Sequence, residues 1–239
     1  MAYVFIFSLI CFLLATLGAS VVFFVKNLNE KIEAILNAFA SGVMMSSCIF
    51  SLIIPALNYC AQLNMAEYVI LPCCFIIGGV IFIFLDVITK RKSLTLGIAL
   101  HNIPEGMCVG FAFASASYLG TSASFMSAVL IAIGIGIQNI PEGCATAFPL
   151  CSVGKTKRKS FIIASLIGFI EVPAAILAYL IGLNFVFLLP FMLAFASSIM
   201  INVAVCELIP EANEKNKNIT NIFFFLGFLL MMTLDLALG

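Results

Sequence analysis

Three carboxylates of this chain lie deep inside apolar stretches, where a charged side chain is costly. Glu105, Glu142 and Glu171 each interrupt a run of mostly apolar residues. On insertion scales, a charge at the centre of a membrane helix costs about 2.5–3.5 kcal/mol. The same stretches contain no lysine or arginine, so protons, water or a bound cation must compensate for the three charges. The pattern predicts a cation-binding site.

Two of these carboxylates belong to a repeated hexapeptide. The sequences His101-Asn-Ile-Pro-Glu-Gly106 and Gln138-Asn-Ile-Pro-Glu-Gly143 differ only in their first residue. In a helix, the first residue and the glutamate of each copy lie four positions apart on one face, so the two side chains can bind one ion together. The proline frees a backbone carbonyl, and the glycine lets a neighbouring backbone approach closely.

His101 is the single histidine of the chain. A lone buried histidine is more often a hydrogen-bonded residue than a metal ligand. Glu105, one helical turn away, and the second copy of the motif favour the ligand role.

The composition places these residues in an all-α polytopic membrane protein. Of 239 residues, 64% are apolar and 9% are charged, whereas a soluble domain has about 25% charged residues. The formal net charge is zero and no long basic run is present, which argues against a nucleic-acid partner. We predict one transmembrane domain over residues 1–239, with eight membrane-spanning helices of about 20 residues or more. The predicted spans are 3–25, 32–57, 68–89, 93–117, 122–150, 160–181, 185–209 and 219–238.

The basic residues predict the orientation of these spans in the lipid bilayer. All 11 lysines and arginines lie in the connections that follow the odd-numbered spans. Loops rich in lysine and arginine face the cytoplasm. Both termini are therefore expected outside, which requires an even number of spans. We expect a multi-pass protein of the cell membrane.

The motifs resemble those of the ZIP family of divalent metal transporters. The His-Asn-x-Pro-Glu-Gly and x-x-x-Pro-Glu-Gly sequences are the signature of that family's fourth and fifth helices. The segment 39–56 is similar to its second helix, Glu171-Val-Pro173 to part of its sixth, and Glu207-Leu-Ile-Pro-Glu211 to the end of its seventh. The resemblance extends over essentially the whole chain, and it includes the topology of eight helices with both termini outside.

The resemblance implies a ZIP-type fold with a binuclear metal site between helices 4, 5 and 6, in which Glu105 and Glu142 bridge the two ions. It also implies an elevator-type motion, in which helices 1, 4, 5 and 6 move past helices 2, 3, 7 and 8, and a homodimer. The expected activity is the movement of divalent metal into the cytoplasm, with zinc as the first candidate and cadmium, iron or manganese as others. The implied ligands are His101, Glu105, Gln138 and Glu142 for one metal, and Asn102, Glu105, Asn139, Glu142 and Glu171 for the other.

The sequence departs from the family pattern in ways that bear on the metal. Gln138 replaces a histidine found in many members, which weakens a strict preference for zinc because an amide oxygen is a harder ligand. Cys206 stands where a histidine often precedes the glutamate of helix 7. Asp86, Glu207 and Glu211 either line a cytoplasmic exit for the cation or pair with the basic loops, and the sequence leaves both alternatives open.

Other functional classes have less support in the sequence. An H-E-x-x-H zinc protease needs two histidines, and no G-x-S-x-G element is present, so we do not expect an enzyme. No resident cofactor is expected, because the metal is the transported substrate. A metal-selective cation channel or a metal efflux carrier could use the same ligands. For a carrier, we expect metal binding to displace protons and the apparent affinity to fall at acidic pH.

Overall fold

The computed structural model describes residues 1–25, 29–89 and 94–238; the side chains of residues 85, 86, 89, 94–100 and 238 are outside the description. Within these ranges the chain is helical, and no strand is assigned. The helices are α1 Ala2–Ser20, α2 Glu30–Ser47, α3 Ile54–Gln62, α4 Glu67–Thr89, α5 Leu94–Leu119, α6 Ser122–Ser152, α7 Lys157–Phe169, α8 Glu171–Gly182, α9 Leu188–Val203 and α10 Ile209–Leu238.

Several of these helices are joined end to end into longer rods. A π-helical segment, Cys48–Ile53, connects α2 to α3, and a second one, Ala204–Leu208, connects α9 to α10. A single residue, Ile170, separates α7 from α8. Within α10, Asn216 has an extended backbone (φ −166°, ψ 98°), so this helix consists of two limbs. π-Helical turns are uncommon and are often found at functional sites.

Polar side chains define where the helices begin. Asn29 accepts a hydrogen bond from the backbone of Ile32 (2.9 Å) at the start of α2, and Thr121 accepts one from Ser124 (3.1 Å) at the start of α6. Such caps satisfy amide groups that have no partner within the helix. Before α6, Gly120 adopts φ +64°, a conformation that favours glycine. Gly120 and Thr121 form the short connection between α5 and α6, the two motif-bearing helices.

The all-helical membrane class is confirmed. In the described part of the chain, six helical stretches are long and apolar enough to cross a membrane. One of them, Leu188–Ala237, has 50 residues, far more than the roughly 20 that one crossing needs, and contains the break at Asn216. The number of eight spans and the outside position of both termini remain predictions.

The helices pack as two bundles. In the first bundle, α1 lies along α6, α5 lies along α8, and α7 contacts α1 and α6. In the second bundle, α2 lies along α10, and α4 and α3 pack on α9. The bundles meet mainly where α5 touches α9 and where α2 touches α6. Both motif-bearing helices therefore belong to the first bundle and also line its boundary with the second.

The motif glycines allow the close packing inside the first bundle. A Cβ atom on Gly106 would lie 2.4 Å from the backbone oxygen of Glu171, and one on Gly143 would lie 2.1 Å from the backbone oxygen of Ala15. No ordinary side chain fits at such distances. The prediction that each glycine admits a neighbouring backbone is confirmed, and the first contact brings α8 against the motif of α5.

Candidate metal centre

The predicted ligands come together in the interior of the first bundle. Each of them is at most 5% exposed to solvent. They lie on α5, on α6 and at the first residue of α8. The set consists of His101, Asn102, Glu105, Gln138, Asn139, Glu142 and Glu171.

The two motifs contact each other crosswise. Nε2 of His101 lies 2.8 Å from Oε1 of Glu142, and Nε2 of Gln138 donates a hydrogen bond to Oε1 of Glu105 at 2.9 Å. The first residue of each motif therefore pairs with the glutamate of the other motif. Ligand atoms of His101, Glu105 and Glu142 all lie within 4.8 Å of one another, close enough to share one cation.

The third carboxylate joins this group through an asparagine. Nδ2 of Asn139 donates to both carboxylate oxygens of Glu171, at 2.8 and 2.9 Å. Nδ2 of Asn102 donates instead to the backbone oxygen of Ile167, at 3.1 Å. Each asparagine thus has its amide nitrogen engaged, and its side-chain oxygen remains available for another ligand.

Five buried oxygen atoms of the centre have no hydrogen-bond partner among the described residues. An unpaired buried polar atom costs about 1–3 kcal/mol, so five in one place call for a ligand. All five are acceptors, and α5, α6 and α8 contain no lysine or arginine. Carboxylate and amide oxygens beside one imidazole form a donor set that suits a divalent cation. The atoms are Oδ1 of Asn102, Oε2 of Glu105, Oε1 of Gln138, Oδ1 of Asn139 and Oε2 of Glu142.

The predicted pathway residues have different surroundings. The side chain of Asp86 lies outside the described residues. Glu207 is half-buried in the π-helical segment Ala204–Leu208. Oε1 of Glu211 accepts a hydrogen bond from Nζ of Lys215 at 2.8 Å, which is the ion-pair alternative. Cys206 is exposed.

Sequence reasoning missed Asp235, an acidic residue of the last apolar span. Its Oδ1 accepts a hydrogen bond from Ser51 at 2.6 Å, and its Oδ2 has no partner among the described residues. The pair borders a cavity of about 470 Å³ between α3, α6 and α10, which Gly134 and Ile137 of α6 also line. A carboxylate in an apolar run is the signal that identified the three glutamates, and it applies equally here.

Sequence comparison identifies relatives that are named as zinc transporters. A family model described as ZIP zinc transporter matches residues 89–235. The human zinc transporter ZIP11 is 42% identical over 147 residues, which cover 61% of this chain and 43% of that protein. This chain therefore matches less than half the length of ZIP11.

Two bacterial relatives match over most of their length. The zinc transporter ZIPB of Bordetella bronchiseptica is 29% identical over 250 residues, covering 95% of this chain and 79% of that protein. The zinc transporter ZupT of Chlorobaculum parvum is 26% identical over 268 residues, covering 99% and 97%. The similarity thus extends well beyond the two motifs.

Proposed function

Because this chain belongs to the ZIP zinc transporter family, we propose that it carries divalent metal cations across the cell membrane, with zinc as the first candidate. The observation that carries the proposal is the set of five unpaired buried oxygens around the crossed motifs. Bound cations are ligands that satisfy acceptor oxygens of this kind. The transported ion is the substrate, and no resident cofactor is invoked.

We propose that the centre holds two ions. His101, Glu105, Gln138 and Glu142 would hold the first ion, since their side chains already pair with one another. The second ion would be held by Asn102, Glu105, Asn139, Glu142 and Glu171. Three carboxylates carry a charge of −3, which one divalent cation alone leaves uncompensated. Two ions, or one ion and a proton, bring the centre near neutrality. The amide oxygen of Gln138 suits manganese, and cadmium and iron are further candidates.

The basic loops give the orientation of the proposed pathway. With these loops in the cytoplasm and both termini outside, the cavity beside Asp235 opens on the outer side of the centre, and Asp86, Glu207 and Glu211 lie on the inner side. We propose import into the cytoplasm along this line.

Alternating access would be an elevator-type motion of the first bundle against the second. The packing supports this division, because α1 and α5 to α8 contact one another more extensively than they contact the second bundle. The second bundle would be the stationary part and would form a homodimer. Its helix α4 presents large apolar side chains to the exterior, including Ile76, Val80 and Phe84.

The proposal is tested by zinc and cadmium uptake into proteoliposomes with an internal fluorescent indicator. Wild type is compared with Glu142→Ala and with Glu142→Gln, which keeps a hydrogen-bonding group beside His101. The control is Glu214→Gln, which removes an exposed carboxylate outside the centre. We expect saturable uptake in wild type and control, and a loss of at least about 100-fold in both Glu142 variants, the upper end of what altered metal-site residues cost.

Other results separate the alternatives. Uptake that is unchanged in both Glu142 variants would mean that this carboxylate is structural, and the ligand assignment would be wrong. Non-saturating flux with single-channel currents would identify a channel. Zinc transport that occurs only from the cytoplasmic side of the protein to its outer side would identify an efflux carrier.

A further inference from the structure

A methionine of the second bundle contacts the metal centre across the boundary between the bundles. Met200 lies on α9 and is fully buried. Its Sδ atom lies 4.0 Å from Nε2 of Gln138 on α6, within reach of a weak hydrogen bond to sulfur. The predicted ligands all come from the first bundle, so this sulfur is a contribution of the second bundle to their surroundings.

The amide nitrogen of Gln138 contacts two electron-pair donors at once. It donates to Oε1 of Glu105 at 2.9 Å, and it also contacts the sulfur of Met200. A carboxylate oxygen and a thioether sulfur have no proton to give and can only accept. The amide protons of Gln138 therefore occupy a place where positive charge is favoured.

The Gln138 amide can present its oxygen at this place instead of its nitrogen. The last torsion of a glutamine side chain is broad and roughly two-fold, so a half turn exchanges the two atoms. Oε1 has no hydrogen-bond partner among the described residues, and the turn breaks no such bond of that oxygen. A carboxylate oxygen, an amide oxygen and a thioether sulfur would then converge, and a cation between them would satisfy all three.

The sulfur changes which cation this arrangement favours. Carboxylate and amide oxygens suit manganese, whereas a thioether is a soft ligand that favours zinc. Gln138 itself offers no soft donor, and Met200 supplies one beside it. A methionine side chain is unbranched and has three rotatable bonds, so its sulfur can move from its present position toward an ion.

We propose that Met200 is a specificity-determining ligand of the metal centre, whose Sδ atom binds the ion held by Glu105 and Gln138 and favours zinc over manganese. This inference rests on the proposed function and adds to it a ligand from the second bundle. The bond from the ion to sulfur forms in this arrangement of the two bundles, and it breaks when the first bundle moves away from α9.

The test is X-ray absorption spectroscopy of bound zinc in the purified full-length protein in detergent, with every methionine replaced by selenomethionine. Selenium scatters more strongly than sulfur, oxygen or nitrogen, so a methionine ligand is distinguished from the nine cysteines of the chain. We expect selenium in direct contact with zinc in the otherwise unchanged protein, and its loss in Met200→Leu. Leucine keeps the volume and apolar character of methionine and is usually tolerated in a core.

The matched control is Met231→Leu, which replaces an equally buried methionine of α10 that borders the outer cavity. We expect this variant to keep the zinc–selenium contact. Competition between zinc and manganese gives a second readout, in which the preference for zinc falls about tenfold in Met200→Leu and less than about twofold in the control. An equal fall in both variants, or a zinc–selenium contact that survives Met200→Leu, would overturn the proposal.

The spectrum of the otherwise unchanged protein tests the proposal even if Met200→Leu folds poorly. Zinc with nitrogen and oxygen neighbours but no selenium would overturn the role of Met200 and leave the proposed transport intact. A zinc–selenium contact in a protein that takes up no zinc into proteoliposomes would contradict transport and leave the ligand intact. A protein that binds no zinc would contradict both.

Discussion

The two copies of the repeated motif are nearly identical in sequence, but they have different partners in the structure. Their first residues behave alike, since His101 lies against Glu142 and Gln138 donates to Glu105. The asparagines of the two motifs have different partners. Asn139 donates to both oxygens of Glu171, whereas its counterpart Asn102 donates to a backbone carbonyl of α7.

This difference has a geometric origin. Two helices facing each other can exchange equivalent contacts, and the crossed pairs follow from that arrangement. The third carboxylate comes from α8 alone, and α8 packs directly on α5 at Gly106. Of the two motif asparagines, Asn139 on α6 donates to Glu171. A repeated sequence therefore produces a symmetric pair of contacts and one asymmetric contact, and each kind can be tested separately.

The largest expected effect comes from making the first residues of the two motifs identical. His101→Gln removes the imidazole, a common zinc ligand, and we expect zinc affinity to fall by at least about 100-fold. Gln138→His adds a second imidazole, and we expect the preference for zinc over manganese to rise about tenfold, because manganese favours oxygen ligands. Competition between the two metals for the purified protein measures both changes.

The double variant His101→Gln with Gln138→His is the control for this pair, because it exchanges the two residues and keeps the composition. Zinc affinity close to wild type in this double variant would mean that it matters little for zinc binding which motif carries the histidine. Unchanged zinc affinity in His101→Gln alone would contradict the ligand role of the histidine.

The asparagines are expected to give the second-largest effect. Asn139→Ala removes a proposed ligand oxygen and also the two hydrogen bonds to Glu171, and residues that orient metal ligands typically contribute 10–100-fold. We expect loss of the second zinc ion and a fall in affinity of about that size. Asn102→Ala loses a proposed ligand oxygen and a hydrogen bond to the backbone of Ile167, so we expect a smaller fall. Zinc stoichiometry and affinity from calorimetry measure both, and equal effects would mean that the two asparagines contribute equally to metal binding.

Much of the centre could be predicted from sequence because its signals are local. A carboxylate in an apolar run is costly wherever the chain folds, so Glu105, Glu142 and Glu171 stand out without a structure. The glycine after each glutamate predicted a close backbone contact, which the packing confirms. The all-helical membrane class follows from composition alone.

The features that could not be predicted from sequence depend on how segments distant in the chain pack together. Helical spacing predicts that His101 and Glu105 share a face, but it says nothing of the contact between His101 and Glu142, which requires α5 to face α6. Lys215 donates hydrogen bonds to Glu33 on α2 and to Glu211 on α10, and these contacts likewise depend on α2 lying along α10. Asp235 carried a local signal and was overlooked; its partner Ser51 could not be identified from sequence, because the two lie 184 positions apart.

The smallest expected effect concerns the packing that supports the asymmetric contact. In Gly106→Ala the new methyl group would lie 2.4 Å from the backbone oxygen of Glu171, so α5 and α8 must separate. In Gly136→Ala, on α6, the nearest atom is the flexible end of the Leu14 side chain at 3.0 Å, which can move aside. Overpacking typically costs 1–3 kcal/mol, and we expect a loss of stability of that size in the first variant and less than about 1 kcal/mol in the second.

Thermal unfolding in detergent, with and without zinc, distinguishes a general packing defect from a specific effect on the centre. Ligand binding to the folded state raises the melting temperature. If Gly106 positions Glu171, Gly106→Ala lowers both the melting temperature without metal and the increase that zinc produces, whereas Gly136→Ala retains the full increase. A full zinc-induced increase in Gly106→Ala would show that Glu171 reaches the metal without the close contact between α5 and α8. The asymmetric contact would then depend on Asn139 alone.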